Sequence, residues 1–265
     1  MRLQHAALLP VPKFAHNHSW IRGVLESHLI HQCLNIILEP LKCAAKLGVM
    51  LSNPWGYNRY CFTPIVSYIV DTPEAAMLSG VGGRTSPITM AMYKQFSDSF
   101  QHEPCTISTT LAQLVTIASK VDPTDIQAYL REAQKLRLNG VHLPFWRNHP
   151  LSCPSRFFTP EFLHHGHKMF WDHNAQWCIN ALGAGEIDFR FSVLQPVTGF
   201  CQFKEGISSL KQVTGWTHWD IQCSIIGITT RSAPREVVIA VRALMDFRYR
   251  VQAHRITEPD IASAT

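Results

Sequence analysis

Three residues could carry chemistry in this sequence: Asp71, Glu161 and His164. Asp71 ends an almost unbroken β-branched and aromatic run, Cys61, Phe62, Ile65, Val66, Tyr68, Ile69 and Val70. A carboxylate at the carboxyl end of a buried strand is a common way for α/β proteins to present an acid to a crevice. The plainer alternative is a turn aspartate ahead of Thr72-Pro73. Glu161 follows Thr159-Pro160, where a helix is predicted to open. There it either complements the helix dipole, worth roughly 0.3–1 kcal/mol, or acts as a metal-binding acid brought beside Asp71. Two or three such carboxylates can hold a pair of Mg²⁺ or Mn²⁺ ions that clamp the attacking and leaving oxygens of a phosphodiester.

His164 belongs to a dense group with His165, His167, His173 and Asp172. On a helix, Glu161 neighbours His164 and His165, and His164 neighbours His167. Zinc is an alternative for this cluster, but the spacing is not H-E-x-x-H and no C-x-x-C pair completes a site. Gly80-Val81-Gly82-Gly83-Arg84-Thr85-Ser86 could cradle a phosphate through backbone N–H groups. It lacks the P-loop pattern, so an ordinary glycine-rich turn is the plainer alternative. Arg231, Arg235, Arg242, Arg248, Arg250 and Arg255 load the C-terminal region with positive charge. Arg235, Arg242 and Arg248 are the candidate DNA-backbone contacts; beside Glu236 and Asp246, a solvated helix face is the other reading.

The elements that position these residues are mixed. Apolar residues at Ile30, Cys33, Leu34, Ile37, Leu41 and Ala44 predict a helix over 24–47, kinked or split at Pro40 and closed by Gly48. The run at 59–71 predicts a strand covered on both faces. Helices are expected at 109–119 and at 123–138, the second with Asp122 as N-cap and Pro123 at its first position. A long helix is predicted over 159–182, ended by Gly183. Ile187, Phe189, Phe191 and Val193 alternate with polar residues, which predicts a half-buried strand. A last helix is expected over 234–252, with a disordered tail after Arg255. The implied domains are 1–143, 144–252 and a tail at 253–265.

Composition sets the frame. The 265 residues are 46% apolar and 16% charged, an ordinary globular balance. The formal charge of +5 suits a polyanionic partner without requiring one. The eight cysteines are scattered, and the N-terminus shows no apolar signal region. Reduced thiols, no membrane span and a nuclear or cytoplasmic location follow as expectations. The oligomeric state is not legible.

Three sets of residues carry a resemblance. The first is Pro10-Val11-Pro12-Lys13-Phe14, Arg22-Gly23-Val24-Leu25-Glu26, and Tyr60-Cys61-Phe62-Thr63-Pro64 through Ile69-Val70-Asp71-Thr72-Pro73-Glu74-Ala75. The second is Pro144-Phe145-Trp146-Arg147, Phe158-Thr159-Pro160-Glu161, Leu163-His164-His165 and Phe170-Trp171-Asp172-His173. The third is Glu186-Ile187-Asp188-Phe189-Arg190-Phe191-Ser192, Phe203-Lys204-Glu205-Gly206 and Ala243-Leu244-Met245-Asp246-Phe247-Arg248-Tyr249. In this order they resemble the Plavaka-type transposases of mushroom-forming fungi, relatives of the CACTA DNA transposons.

The resemblance implies a ribonuclease-H-like core that uses an acidic triad and a divalent metal, Mg²⁺ or Mn²⁺, to cut and join DNA. It places Asp71 at the acid that ends a central strand, and Glu161, ahead of Leu163-His164, at the acid that opens a later helix. The family's first catalytic aspartate lies on a strand ahead of the Pro10–Phe14 block. The chain starts nine residues before that block. The expectation is therefore an N-terminally truncated, catalytically incomplete fragment of α/β class: a partial ribonuclease-H-like core with an extensive helical C-terminal part. A non-enzymatic nucleic-acid-binding or interaction protein is the alternative. Gly166 stands where the family suggests Trp, and Asn174 where an acid is common. Trp216, Trp219 and Cys223 replace charged or polar residues. A mid-helix glycine costs about 1 kcal/mol relative to Ala, and these departures read as drift.

Overall fold

A computed structural model describes residues 7–211, 213–253 and 255–259. The end of the predicted disordered tail, 260–265, lies outside the described residues. The chain divides into two compact units, one reaching to Pro160 and one starting at Glu161. Helices dominate both, with two small sheets in the first, so the architecture is mixed α and β.

In the first unit, the helix expected to kink or split at Pro40 is two helices, α1 (Ser19–Ile37) and α2 (Glu39–Leu47). The break comes at Leu38, because Pro40 has no N–H to continue the ladder and sits instead in the first turn of α2. Gly48, at φ +76, ends α2 and feeds the antiparallel hairpin β1 (Val49–Ser52) and β2 (Asn58–Cys61). Asn53 closes the hairpin turn through its side-chain oxygen, which accepts the N–H groups of Trp55 and Tyr57.

The strand predicted over 59–71 is broken. It consists of β2, an extended stretch, and β3 (Tyr68–Val70). Pro64 cannot donate to a ladder, and the next N–H, that of Ile65, goes to Ser152 Oγ at 2.8 Å. Nor are both faces covered, since Val66 and Ile69 are exposed while Ile65 and Val70 are buried. β3 pairs in parallel with β4 (Phe158–Pro160), Val70 opposite Pro160. Around this pair, Leu34, Ile65, Val70, Leu78, Phe145, Trp146, Phe157 and Phe158 form one core. Trp146 is fully buried and donates its indole N–H to Leu78 O at 2.8 Å, so its one polar atom is paired.

Asp71 then opens α3 (Thr72–Ser79). A second core lies under α4 (Ile107–Ala118) and α5 (Ile126–Lys135), built on Leu114, Ile117, Tyr129, Ala133 and Leu138. The start of α5 differs from the predicted position. Asp125, not Asp122, caps it by accepting Ala128 N–H, while Asp122 holds a turn through Thr124. Both aspartates satisfy the same local rule, and the longer turn won. The short α6 (Pro154–Phe157) leads into β4.

The second unit begins with the predicted long helix, but Thr159-Pro160 belong to β4 and the helix opens only beyond Glu161. Its first part is π-helical, at Leu163–Lys168 and Phe170–Ala175, before α7 (Gln176–Leu182) and Gly183. The stretch predicted as a strand is helix α8 (Ala184–Ser192). Ile187 and Phe191, one turn apart, enter the core, and Phe189 points outward. Arg190 Nε pairs with Glu186 Oε1 at 2.6 Å. The alternation was therefore real, but only every second apolar residue is inside. α9 (Gly215–Thr229) and α10 (Arg235–Val251) complete a core containing Phe170, Ile187, Phe191, Ile221, Ile225, Val241 and Met245. No helix among the described residues is long and apolar enough to cross a membrane.

Candidate functional site

Asp71 sits where a parallel strand ends and a helix begins. Its Oδ1 accepts the Glu74 N–H at 2.8 Å, which makes it the N-cap of α3. The turn-aspartate role is thus real, and it uses one oxygen. The other oxygen has no hydrogen bond among the described residues. Glu74, which the sequence reading did not single out, lies three residues on and is half-buried. Burial, and then the charge of Asp71, hold its carboxyl above the ordinary glutamate range. Two carboxylates that repel one another at a strand end fit a cation better than a third acid. Oxygen donors of this kind suit Mg²⁺ or Mn²⁺.

Glu161 is the residue after β4. Its Oε1 accepts the backbone N–H of His164 and lies 2.6 Å from His164 Nδ1. His165 Nδ1 lies 3.9 Å from the same oxygen and 3.1 Å from Glu161 O. Glu161 therefore caps the helix and orients His164 together. The rest of the predicted histidine cluster does not join this pair. His167 packs edge-on to Phe162 at 4.9 Å, and His173 lies tilted against Trp177 at 6.0 Å. Among the described residues, no three His, Cys, Asp or Glu side chains gather into a metal-holding group. The zinc alternative has no geometric support.

The Gly80–Ser86 stretch is a turn. Gly80, Val81, Gly82, Thr85 and Ser86 spend their N–H groups on Met77, Ala76, Arg137, Gly82 and Ala91 carbonyls. Few donors are left for a phosphate.

The C-terminal arginines separate into two kinds. Arg235 and Arg242 are exposed on α10, two turns apart and on one face. Arg248 is only 2% exposed, and its predicted DNA contact is corrected here. Its Nε and Nη2 donate to Gln222 Oε1 at 3.0 and 2.7 Å, and its Nη1 donates to Gly166 O. Its guanidinium also lies 4.7 Å from the Phe170 ring centroid. Burial pushes its pKa down to about 10, still charged at neutral pH. This cation is spent inside the unit, so no phosphate can reach it.

Gly166 explains part of that arrangement. A Cβ there would collide with the ring of Phe162, and its carbonyl receives Arg248. The glycine is a fitted position rather than simple drift. Trp216 and Cys223 are exposed, on the solvent side where charged residues would also stand. Asn174 is buried, with no partner for its Nδ2.

A family model described as Plavaka transposase matches residues 3–178, well over half of the chain. No match was found among curated proteins or among solved structures.

Proposed function

Because the chain belongs to the Plavaka transposase family, we propose that it is part of a cut-and-paste DNA transposase whose Asp71 and Glu161 contribute to a Mg²⁺- or Mn²⁺-binding carboxylate set. The observation that carries this reading is the parallel register of β3 and β4, Val70 opposite Pro160. Asp71 follows one strand in the chain and Glu161 follows the other. A parallel pair whose carboxyl ends lead directly into acids is the arrangement a ribonuclease-H-like core would need.

When bound, the metal would supply charge stabilisation for the attacking and leaving oxygens of a phosphodiester. Asp71 offers its second oxygen, the first being fixed by the α3 cap. Glu161 holds His164 through Oε1, which positions the imidazole to take or give a proton. DNA would be held by cationic side chains, Arg235 and Arg242 among them. A two-metal clamp needs a shared ligand beyond two carboxylates. On this reading the chain alone binds metal and DNA but does not cut.

The test is calorimetric Mn²⁺ binding beside a nicking and strand-transfer assay on duplex DNA. Expected are Mn²⁺ binding that Asp71→Ala weakens at least about tenfold, and no nicking. Nicking abolished by Asp71→Ala would keep the site but overturn the incompleteness. Mn²⁺ binding indifferent to both Asp71→Ala and Glu161→Ala would overturn the site.

A second reading, a non-enzymatic DNA-binding protein built on the same fold, draws on the capping roles of Asp71 and Glu161, since each has a structural job already. It predicts salt-dependent DNA binding with no metal dependence at all.

A further inference from the structure

The first unit contains an open cleft of about 870 Å³ between α2 and the segment that follows Trp146. Three cations line it, Lys42, Lys46 and Arg147, against the single carboxylate of Glu39. Lys42 is held in place: its Nζ donates to Asn35 Oδ1 at 2.8 Å and lies 3.3 Å from Glu39 Oε2. Lys46 is exposed in the last turn of α2. Arg147 anchors its Nη1 on Pro144 O at 3.0 Å and Leu143 O at 3.4 Å, and its Nε and Nη2 have no acceptor among the described residues.

His149 follows Arg147 in the same wall. The residue is 3% exposed and lines the same cleft, yet its Nε2 is buried without a partner. Its Nδ1 lies 3.1 Å from Ser152 Oγ. A buried ring nitrogen without a partner costs about 1–3 kcal/mol. Other buried nitrogens among the described residues, those of His142, His167 and His218, also lack a partner, so it is the charge of the cleft that points to a ligand. The ligand must be anionic, because the wall carries three positive groups and one negative.

We propose that this cleft, with Lys42, Lys46 and Arg147, binds the phosphodiester backbone of DNA. The proposal rests on the transposase reading and adds a site to it that is separate from Arg235 and Arg242. Lys46 and Arg147 supply the charge. Lys42 is pre-positioned by Asn35, so little side-chain freedom is lost on binding.

The experiment is fluorescence anisotropy of a labelled duplex oligonucleotide titrated with the full chain at several KCl concentrations. Wild type, Lys46→Gln/Arg147→Gln and Arg235→Gln/Arg242→Gln are compared, with circular dichroism melting to confirm that each variant folds. Each lost phosphate contact reduces the slope of log affinity against log salt by about 0.9. The Lys46→Gln/Arg147→Gln variant is therefore expected to lose about 2 in slope and roughly tenfold or more in affinity. Wild-type affinity and slope in that variant would overturn the cleft. If the Arg235→Gln/Arg242→Gln variant alone lost binding, the cleft would fall and the DNA-handling reading would stand. Wild-type chain with no salt-dependent binding would overturn both.

Discussion

His31 makes the stability of the first unit depend on pH, and the magnitude can be worked out. The imidazole is 1% exposed inside α1. The Phe145 N–H donates to its Nδ1 at 3.1 Å, which fixes the neutral tautomer with the proton on Nε2, and that N–H donates to Met77 O at 3.1 Å. Burial is the main reason its pKa falls to about 4 from the ordinary 6.5. The sign follows directly. The unfolded chain protonates His31 near pH 6.5 and the folded chain only near 4. Stability is fully present above pH 6.5 and is lost as the pH falls from there toward 4. Between pH 7 and pH 4.5 the loss is about 2 kcal/mol. His31→Leu removes the titration. It orphans the Phe145 N–H, whereas Met77 O keeps Asn139 Nδ2 and the Gly80 N–H as donors. The variant should therefore be about 2 kcal/mol less stable at pH 7. Near pH 4.5 it should approach wild type. Urea unfolding followed by far-UV circular dichroism gives both numbers, and comparison with wild type cancels other groups such as His218, whose pKa burial also lowers to about 4. A difference between the two proteins that stays flat from pH 7 to 4.5 would refute the reasoning.

Three further outcomes follow from the packing and the charges. Gly166→Ala gains about 1 kcal/mol of helix propensity but drives a Cβ into Phe162; a net loss of about 1 kcal/mol is expected in thermal unfolding, and Phe162→Leu in the same chain should remove it. Arg248→Lys keeps the charge but cannot reach Gln222 and Gly166 together, so chemical denaturation should show a loss of about 3 kcal/mol. Asp71→Asn removes the like charge beside Glu74, so the Glu74 carboxyl should titrate at lower pH by carbon-detected NMR; an unchanged or higher value would mean that the two carboxylates do not feel one another.

Much of the first unit was legible because its signals were local and agreed with one another. Pro40 divided α1 from α2 and Gly48 ended α2, each by a rule that needs no tertiary partner. The errors came where two rules shared the same residues. Ile187, Phe189, Phe191 and Val193 satisfy a period of two, yet with Ile187 and Phe191 buried and Phe189 outside they also satisfy a helical face. Core packing decided between them. Thr159-Pro160 read as a helix start, and only the long-range pairing with Ile69 and Val70 made it a strand. No window of sequence contains that pairing.

The candidate site was legible residue by residue and illegible as a set. Asp71 and Glu161 each stood out by their position at an element boundary, and each turned out to cap a helix. Capping and metal binding favour the same residue at the same place, because both use a carboxylate at the positive end of a helix. The capping bond therefore does not count against a metal role: it fixes one oxygen and aims the other. Arg248 shows the opposite case. It was grouped with Arg235 and Arg242 by charge, but 248 falls on the stripe with Val241 and Met245 that faces the core. A buried guanidinium bonded to a neutral amide and a carbonyl holds α10 to α9 and to the turn at Gly166, and its charge is unavailable to DNA. Contact with a polyanion must then depend on cations that remain exposed or line an open cleft, a division that charge counting along the sequence could not make.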